Sequence, residues 1–261
     1  MLIFSIAKKV IKGFFRNIVF IPILIGLPLF QMFVISSVFN EIPSPAINPM
    51  GSDIVEIILI GKASSLSMIQ GFAVTMVVMF TMLTSILLAT TEIAEREEKT
   101  IARIFSTPIK KSQYIIGSIT GQFIILGLSA SSLIFLMKMI FKIDFGPSLI
   151  GLAIITITVV FVSLAMGMVF SGMFDNSKVA SGVMSTIIVV MTFLSGGLTM
   201  NTGFGEVSKF TINWWASQGY INLMEGNGIT SLSHSLMVLI PLGLALSVLA
   251  TIVYRREGIN G

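Results

Sequence analysis

The sequence predicts an all-α integral membrane protein with six transmembrane helices. Three observations carry that prediction. Over 261 residues the chain is 54% hydrophobic and 11% charged, where a soluble domain carries about 25% charged residues. Its mean hydropathy is +0.98, and six stretches are apolar over about the 20 residues that cross a bilayer core of roughly 30 Å as a helix. The basic residues, finally, are shared unevenly between the connections, as the orientation rule for membrane helices requires.

The elements follow in order within one domain, 1–261. Residues 1–17, MLIFSIAKKVIKGFFRN, form an amphipathic helix. At about 100° per residue, Lys8, Lys9, Lys12 and Arg16 fall in one arc, with Ile3, Ile6, Ala7, Val10, Ile11, Phe14 and Phe15 opposite. Such a helix lies along the inner leaflet, its basic face toward headgroups or cytosol. A plain basic flank that orients the first span is the alternative. Residues 18–90 hold spans one and two, near Ile18–Phe39 and Gln70–Thr90. The first apolar run is too long for a signal peptide, and no small-residue cleavage site follows it, so it reads as a retained anchor. A charged segment, 91–114, comes next. Residues 115–198 hold spans three to five, near Ile115–Phe135, Leu149–Phe170 and Val179–Leu198. The connection 199–234 leads to the sixth span, Ser235–Tyr254, and a tail, 255–261. Pro22, Pro28 and Pro241 fall inside spans, where neighbouring helices can satisfy the freed carbonyls.

Twelve of the sixteen basic residues lie on one side, in the N-terminal segment, the second and fourth connections and the tail. That bias puts both termini in the cytoplasm, and an even number of spans agrees with it. The first outer connection, with Pro43, Pro45 and Pro49, is short. The last one carries Trp214, Trp215 and Tyr220, suited to headgroup depth, with turns expected at Gly219 and Asn227-Gly228. Glu206 and Glu225 read as water-facing groups, with substrate contact the alternative.

Several chemistries are excluded or disfavoured. The chain has no cysteine, so disulfides and thiolate chemistry are absent. A single histidine, His234, leaves little for a metal or nucleophile constellation. No G-x-x-x-x-G-K-[ST] occurs, since Gly61-Lys62 lacks the upstream glycine and the following Ser or Thr. A membrane protease of E-E-x-x-x-R type would need arginine where Ala102 follows Glu97-Glu98, and Arg103 is one position late. A secondary transporter would place a carboxylate at mid-span, whereas the spans offer Gln31 and Gln122. Nothing in the composition points to nucleic acid.

The charged segment carries the most information. It reads Thr91-Glu-Ile-Ala-Glu-Arg-Glu-Glu-Lys-Thr-Ile-Ala-Arg-Ile-Phe-Ser-Thr-Pro108. Glu92–Arg96 and Glu95–Lys99 stand four apart with the acid first, the favourable order on a helix. Ile93, Ala94, Ile101, Ile104 and Phe105 make an apolar stripe, and Pro108 stops the helix. Glu97 falls within that stripe, so its carboxylate needs a partner, a route to water, or another protein. The alternative is a solvated helix end between two spans.

Small residues recur in the spans, with Gly117 and Gly121 in the third and Ser163, Gly167 and Ser171 in the fourth. They mark close helix packing, within one chain or at a dimer seam. Met76, Met79, Phe80 and Met82 in the second span, with Met184, Met191 and Phe193 in the fifth, suit an adaptable apolar surface. Of these, Met76, Met79, Phe80, Met184, Met191 and Phe193 are the candidates for a substrate path, with core or lipid packing the plainer reading.

Glu95-Arg-Glu-Glu-Lys-Thr100, continuing to Thr107-Pro108, together with the topology, resembles the permease subunits of ABC type-2 exporters. Family members carry an E-R-E-x-G-T-like element there, and Lys99 stands where many have glycine. The resemblance implies a cytoplasmic coupling helix between spans two and three that contacts a separate ATPase through Glu95, Arg96, Glu97, Glu98, Lys99 and Thr100. It implies that the amphipathic helix packs beside that site, and that short helices between spans five and six dip into the outer leaflet. Two ATPase copies, binding ATP and Mg, and a second permease copy would complete the assembly, with no cofactor on this chain. The second permease would be identical or related, its contacts running through the first and fifth spans. The implied function is export of an amphipathic drug, peptide or lipid across a bacterial plasma membrane. Export of lipid-linked polysaccharide, an intramembrane enzyme and a non-transporting assembly partner are the alternatives.

Overall fold

The computed structural model describes residues 2–16, 20, 22–41, 68–100, 111–198, 204–226 and 228–257. Among them there is no strand. Eight α-helices run α1 (Leu2–Arg16), α2 (Leu27–Glu41), α3 (Met68–Glu97), α4 (Lys111–Phe141), α5 (Leu149–Met173), α6 (Ser177–Leu194), α7 (Ile212–Met224) and α8 (Ser233–Glu257). A π-helical stretch, Pro22–Gly26, leads into α2. Pro28 follows and has no N–H for the carbonyl of Leu24, a setting in which a widened turn relieves the helix.

Five helical segments are long and apolar enough to cross a membrane: Ile69–Glu97, Gln113–Phe141, Leu149–Met173, Ser177–Leu194 and Ile229–Val253. They correspond to expected spans two to six. α3, α4, α5 and α8 extend beyond the expected ends, because hydropathy sees only the apolar middle of a helix that continues into polar surroundings. The expected first span differs. Its apolar helical part, Pro22–Val38, falls short of that length, and residues 17–19 and 21 lie outside the described residues. The first outer connection and residues 101–110, with Ile101, Ile104, Phe105 and Pro108, also lie outside them.

α3 is the central helix. Apolar on all sides, it is 89% buried over its most apolar window, as a helix without a polar face must be. It packs against α2, α4, α5, α6 and α7. Met32 of α2, Phe72, Met76, Val77 and Met82 of α3, Met137 of α4, Ile155 of α5 and Met184 of α6 share one core. α8 lies along α5 on the other side.

The small-residue stripes explain two of the close helix approaches. A Cβ at Gly117 would stand 2.7 Å from Ile6 Cβ and 3.0 Å from the Ile3 carbonyl oxygen, and one at Gly121 would stand 2.9 Å from Val10 Cβ. The glycine pair of α4 is therefore the seat of α1, which buries Ile6, Ala7 and Phe14. Part of the apolar face expected to meet lipid meets protein instead, while Ile3, Phe4 and Phe15 stay exposed. In α5, a Cβ at Gly167 would stand 3.1 Å from the Ser85 carbonyl oxygen, and Ser85 Oγ donates to the Ser163 carbonyl at 2.5 Å. Both stripes thus serve packing within the chain.

At the far end, a 3-10 turn (Gly205–Phe210), α7 and a second 3-10 turn (Ile229–Leu232) join α6 to α8. Ser208 Oγ donates to the Leu194 carbonyl at 2.8 Å, and Trp215 Nε1 donates to the Lys209 carbonyl at 2.7 Å. Tyr220 is fully buried, its hydroxyl donating to Thr156 Oγ1 of α5 at 3.0 Å. Burial pushes its phenol well above the usual tyrosine range, so it stays a donor at working pH.

Candidate functional site

The last turns of α3 carry the charged run, and four helices converge on it. α1 reaches it from one side. The start of α4 and the end of α5 flank it, and α6 begins beside it. Lys8, Lys9, Lys12, Arg16, Arg96, Lys99 and Lys178 all belong to this end of the bundle, whereas Lys138, Lys142 and Lys209 belong to the other.

Residues of the run turn to different helices. Glu92 accepts from Gln122 Nε2 of α4 at 3.1 Å, and Gln122 is buried and also approaches Ser118 Oγ at 3.4 Å. An amide within an apolar span thus has a carboxylate to hold. Glu95 pairs with Lys9 Nζ of α1 at 3.3 Å and accepts from the Tyr114 hydroxyl of α4 at 3.2 Å. The Lys9–Glu95 pair is partly exposed, so its Coulomb term is small and its effect is to orient α1. Arg96 Nη2 donates to the Ser171 carbonyl and, at 3.1 Å, to Ser171 Oγ at the end of α5. Glu97 accepts from Ser177 N at 3.2 Å and from Ser177 Oγ at 2.6 Å.

The Glu97 contact is a helix cap supplied from another helix. Asn176 caps α6 through the N–H groups of Lys178 and Val179, which leaves the Ser177 N–H for Glu97. A carboxylate at a helix start also meets the positive end of the dipole. That resolves the expectation at Glu97: the group set within an apolar stripe has a partner inside its own chain.

Glu98 and Lys99 point outward and are exposed. Among the described residues neither side chain has a partner. Lys99 closes the helix with φ of 56°, its N–H bonding the Arg96 carbonyl at 2.9 Å. This left-handed conformation suits glycine and strains a residue with a Cβ. Thr100 is half-buried.

The six expected substrate-path residues sit elsewhere. Met76, Met79, Phe80 and Met184 are buried in the core, and Met191 packs on it. Phe193 is exposed, its ring 5.2 Å from that of Phe204. Among the described residues, no three His, Cys, Asp or Glu side chains gather as a metal set requires. Sequence reasoning missed Lys9, Tyr114, Ser171 and Ser177 as partners of the run. The polar Gln122 within a span was the one local signal pointing to such a cluster.

Comparison with known families places most of the chain. Residues 44–252 match the family model described as ABC-2 family transporter protein. The match spans α3 to α8 and leaves out α1 and α2. None of the curated proteins compared matches the chain.

Proposed function

The chain belongs to the ABC-2 family of transporter proteins, multi-pass membrane components that work with an ATP-binding-cassette partner, and on that premise we propose that it is the permease of an exporter. The family component is not itself the catalytic unit. In this reading the chain crosses the membrane six times, α2 with the residues before it being the first crossing, and both termini are cytoplasmic. The gathering of seven basic residues at one end of the bundle supports that orientation. The membrane is a bacterial plasma membrane, and the cargo an amphipathic drug, peptide or lipid. Lipid-linked polysaccharide is the alternative cargo.

The observation that carries the reading is the end of α3. Glu98 and Lys99 are presented outward on a helix end that Lys9, Ser171 and Ser177 hold from three directions. Charge displayed on a fixed support suits a polar groove on a soluble ATPase. The segment 95–100 is then the coupling helix, with Glu98 and Lys99 as its contacts and Glu95, Arg96 and Glu97 as its anchors, while Thr100 continues toward the next span. Two ATPases bind ATP and Mg, and two permeases, identical or related, flank the export path. Phe193, exposed on α6, suits the wall of a path between copies, whereas the buried methionines serve packing.

Co-expression with its ATPase tests this. Glu98→Ala is expected to reduce co-purification and transport-linked ATP hydrolysis without unfolding the permease. Glu97→Ala is expected to loosen α6 as well. Normal assembly and transport in the double variant would sink the coupling assignment.

A further inference from the structure

The same end of the bundle holds a cleft of about 830 Å³ between α1, α3, α4 and α6. Two chemistries meet in it. Phe14, Phe20 and Leu87 give it apolar walls, while Lys12 and Arg16 of α1 and Lys178 of α6 stand around it. Lys9, Glu92 and Glu95 also line it. Glu95 is balanced by Lys9, and Glu92 is held by Gln122. Among the described residues, Lys12, Arg16 and Lys178 have no acidic partner. The cleft therefore carries an excess of positive charge beside an apolar interior, at the end of helices long enough to cross a bilayer.

We propose that this cleft binds one anionic phospholipid of the adjoining leaflet, its phosphate between Lys12, Arg16 and Lys178 and an acyl chain along Phe14, Phe20 and Leu87. Lysine and arginine bind phosphate oxygens through charge-assisted hydrogen bonds, and basic pockets between membrane helices take anionic headgroups. A free anion would have no use for the aromatic wall, and a neutral lipid none for three unpaired cations. The site goes beyond the transport reading and stands without it, because it needs only a membrane around the bundle. Its occupant would bridge α1 directly to α6.

The geometry distinguishes a site from general attraction to a charged bilayer. Lys8 neighbours Lys9 in sequence but lines a different groove, an apolar one of about 500 Å³ with Ile3, Phe4, Ile11 and Ile124. Lys178 lies on another helix altogether. The test uses the purified full chain with dioleoyl phosphatidylglycerol, dioleoyl phosphatidylcholine or inorganic phosphate as probe. Retained lipid is read by native mass spectrometry, and the thermal midpoint is read in parallel. Phosphatidylglycerol is expected to be retained at least about tenfold over phosphatidylcholine and to raise the midpoint. Lys178→Gln should weaken retention about fivefold, at roughly the contribution of one basic residue near a charged headgroup. The Lys12→Gln, Arg16→Gln, Lys178→Gln variant should weaken it about a hundredfold, whereas Lys178→Arg, which keeps the charge, should preserve it and Lys8→Gln should leave it unchanged. Equal retention of the two lipids, equal losses in Lys8→Gln and Lys178→Gln, or full displacement by millimolar phosphate would overturn the proposal.

Discussion

Replacing Gly117 by leucine should release α1 from the bundle. A Cβ at this position alone would stand 2.7 Å from Ile6 Cβ and 2.9 Å from its Cγ2, against an ordinary carbon contact of about 3.5–4.0 Å. The obstructing atoms are a branched Cβ and a backbone carbonyl, not the tip of a flexible side chain, so α1 itself must retreat by about 1 Å. Leucine adds three more carbons. Overpacking of this kind costs about 1–3 kcal/mol. Little opposes it: the Lys9–Glu95 pair is partly exposed and worth under about 1 kcal/mol. The apolar face of α1 gains little from leaving lipid, whose tails are as apolar as leucine.

The chain has no cysteine, so an Ile6→Cys variant carries a unique thiol that is buried when α1 is seated. In nanodiscs, where both membrane faces are accessible, its reaction with a charged maleimide reports the undocked population. An opening penalty reduced by 1–3 kcal/mol raises that rate by about 5- to 150-fold. Gly127→Leu is the control, since this glycine lies on the same helix with open space around its Cβ. An unchanged rate in Gly117→Leu, or an equal rise in Gly127→Leu, would refute the seating of α1 on the glycine pair.

Two further outcomes are expected. Lys99→Gly should raise the apparent unfolding midpoint at fixed scan rate, by the equivalent of about 0.5–1 kcal/mol, because it removes a left-handed penalty at φ 56° that exceeds glycine's entropic cost; a lower midpoint would contradict the strain. Glu97→Ala should cost about 1 kcal/mol as a lost cap, and Ser177→Ala less, because Glu97 also accepts from the Ser177 backbone N–H, as well as from its hydroxyl. A double-mutant cycle should return a coupling above about 0.5 kcal/mol, and additivity would mean that the two groups do not interact.

The spans were legible because an apolar run of the right length has few alternatives, and expected spans two to six have their helices. The amphipathic start of the chain was legible as a helix, since its period alone separates Lys9 and Lys12 from Ile6 and Phe14. Its docking partner was not. Glycines at 117 and 121 announce a close neighbour, but periodicity within α4 cannot say which helix arrives there. One pairing in the charged run was misread for the same reason. Its local order pairs Glu95 with Lys99, four residues on, whereas in the fold Glu95 turns to Lys9 and Tyr114. Arg96 and Glu97 find Ser171 and Ser177, 75 and 80 residues away. Such contacts are set by the crossing of α3 with α5 and α6, and no helical wheel contains them.

Those distant contacts change how the charged run would work in the proposed exporter. A coupling segment that touched only its ATPase could transmit force along α3 alone. Here each residue of Glu95-Arg96-Glu97 holds a different neighbour: α1 and α4 through Glu95, the end of α5 through Arg96, and the start of α6 through Glu97. The intervening turn, 174–176, is short, so α5 and α6 are gripped on both sides of their junction. In the proposed exporter, a push on Glu98 and Lys99 would therefore reach α5 and α6 as directly as α3. α6 would feel it at its first turn, where a tilt moves the far end, including exposed Phe193, the most. The strained Lys99 fits this arrangement, because it ends the helix just after the three anchors, with Glu98 and Lys99 unpartnered among the described residues. In that exporter, five consecutive residues would divide the labour, anchors first and contacts after.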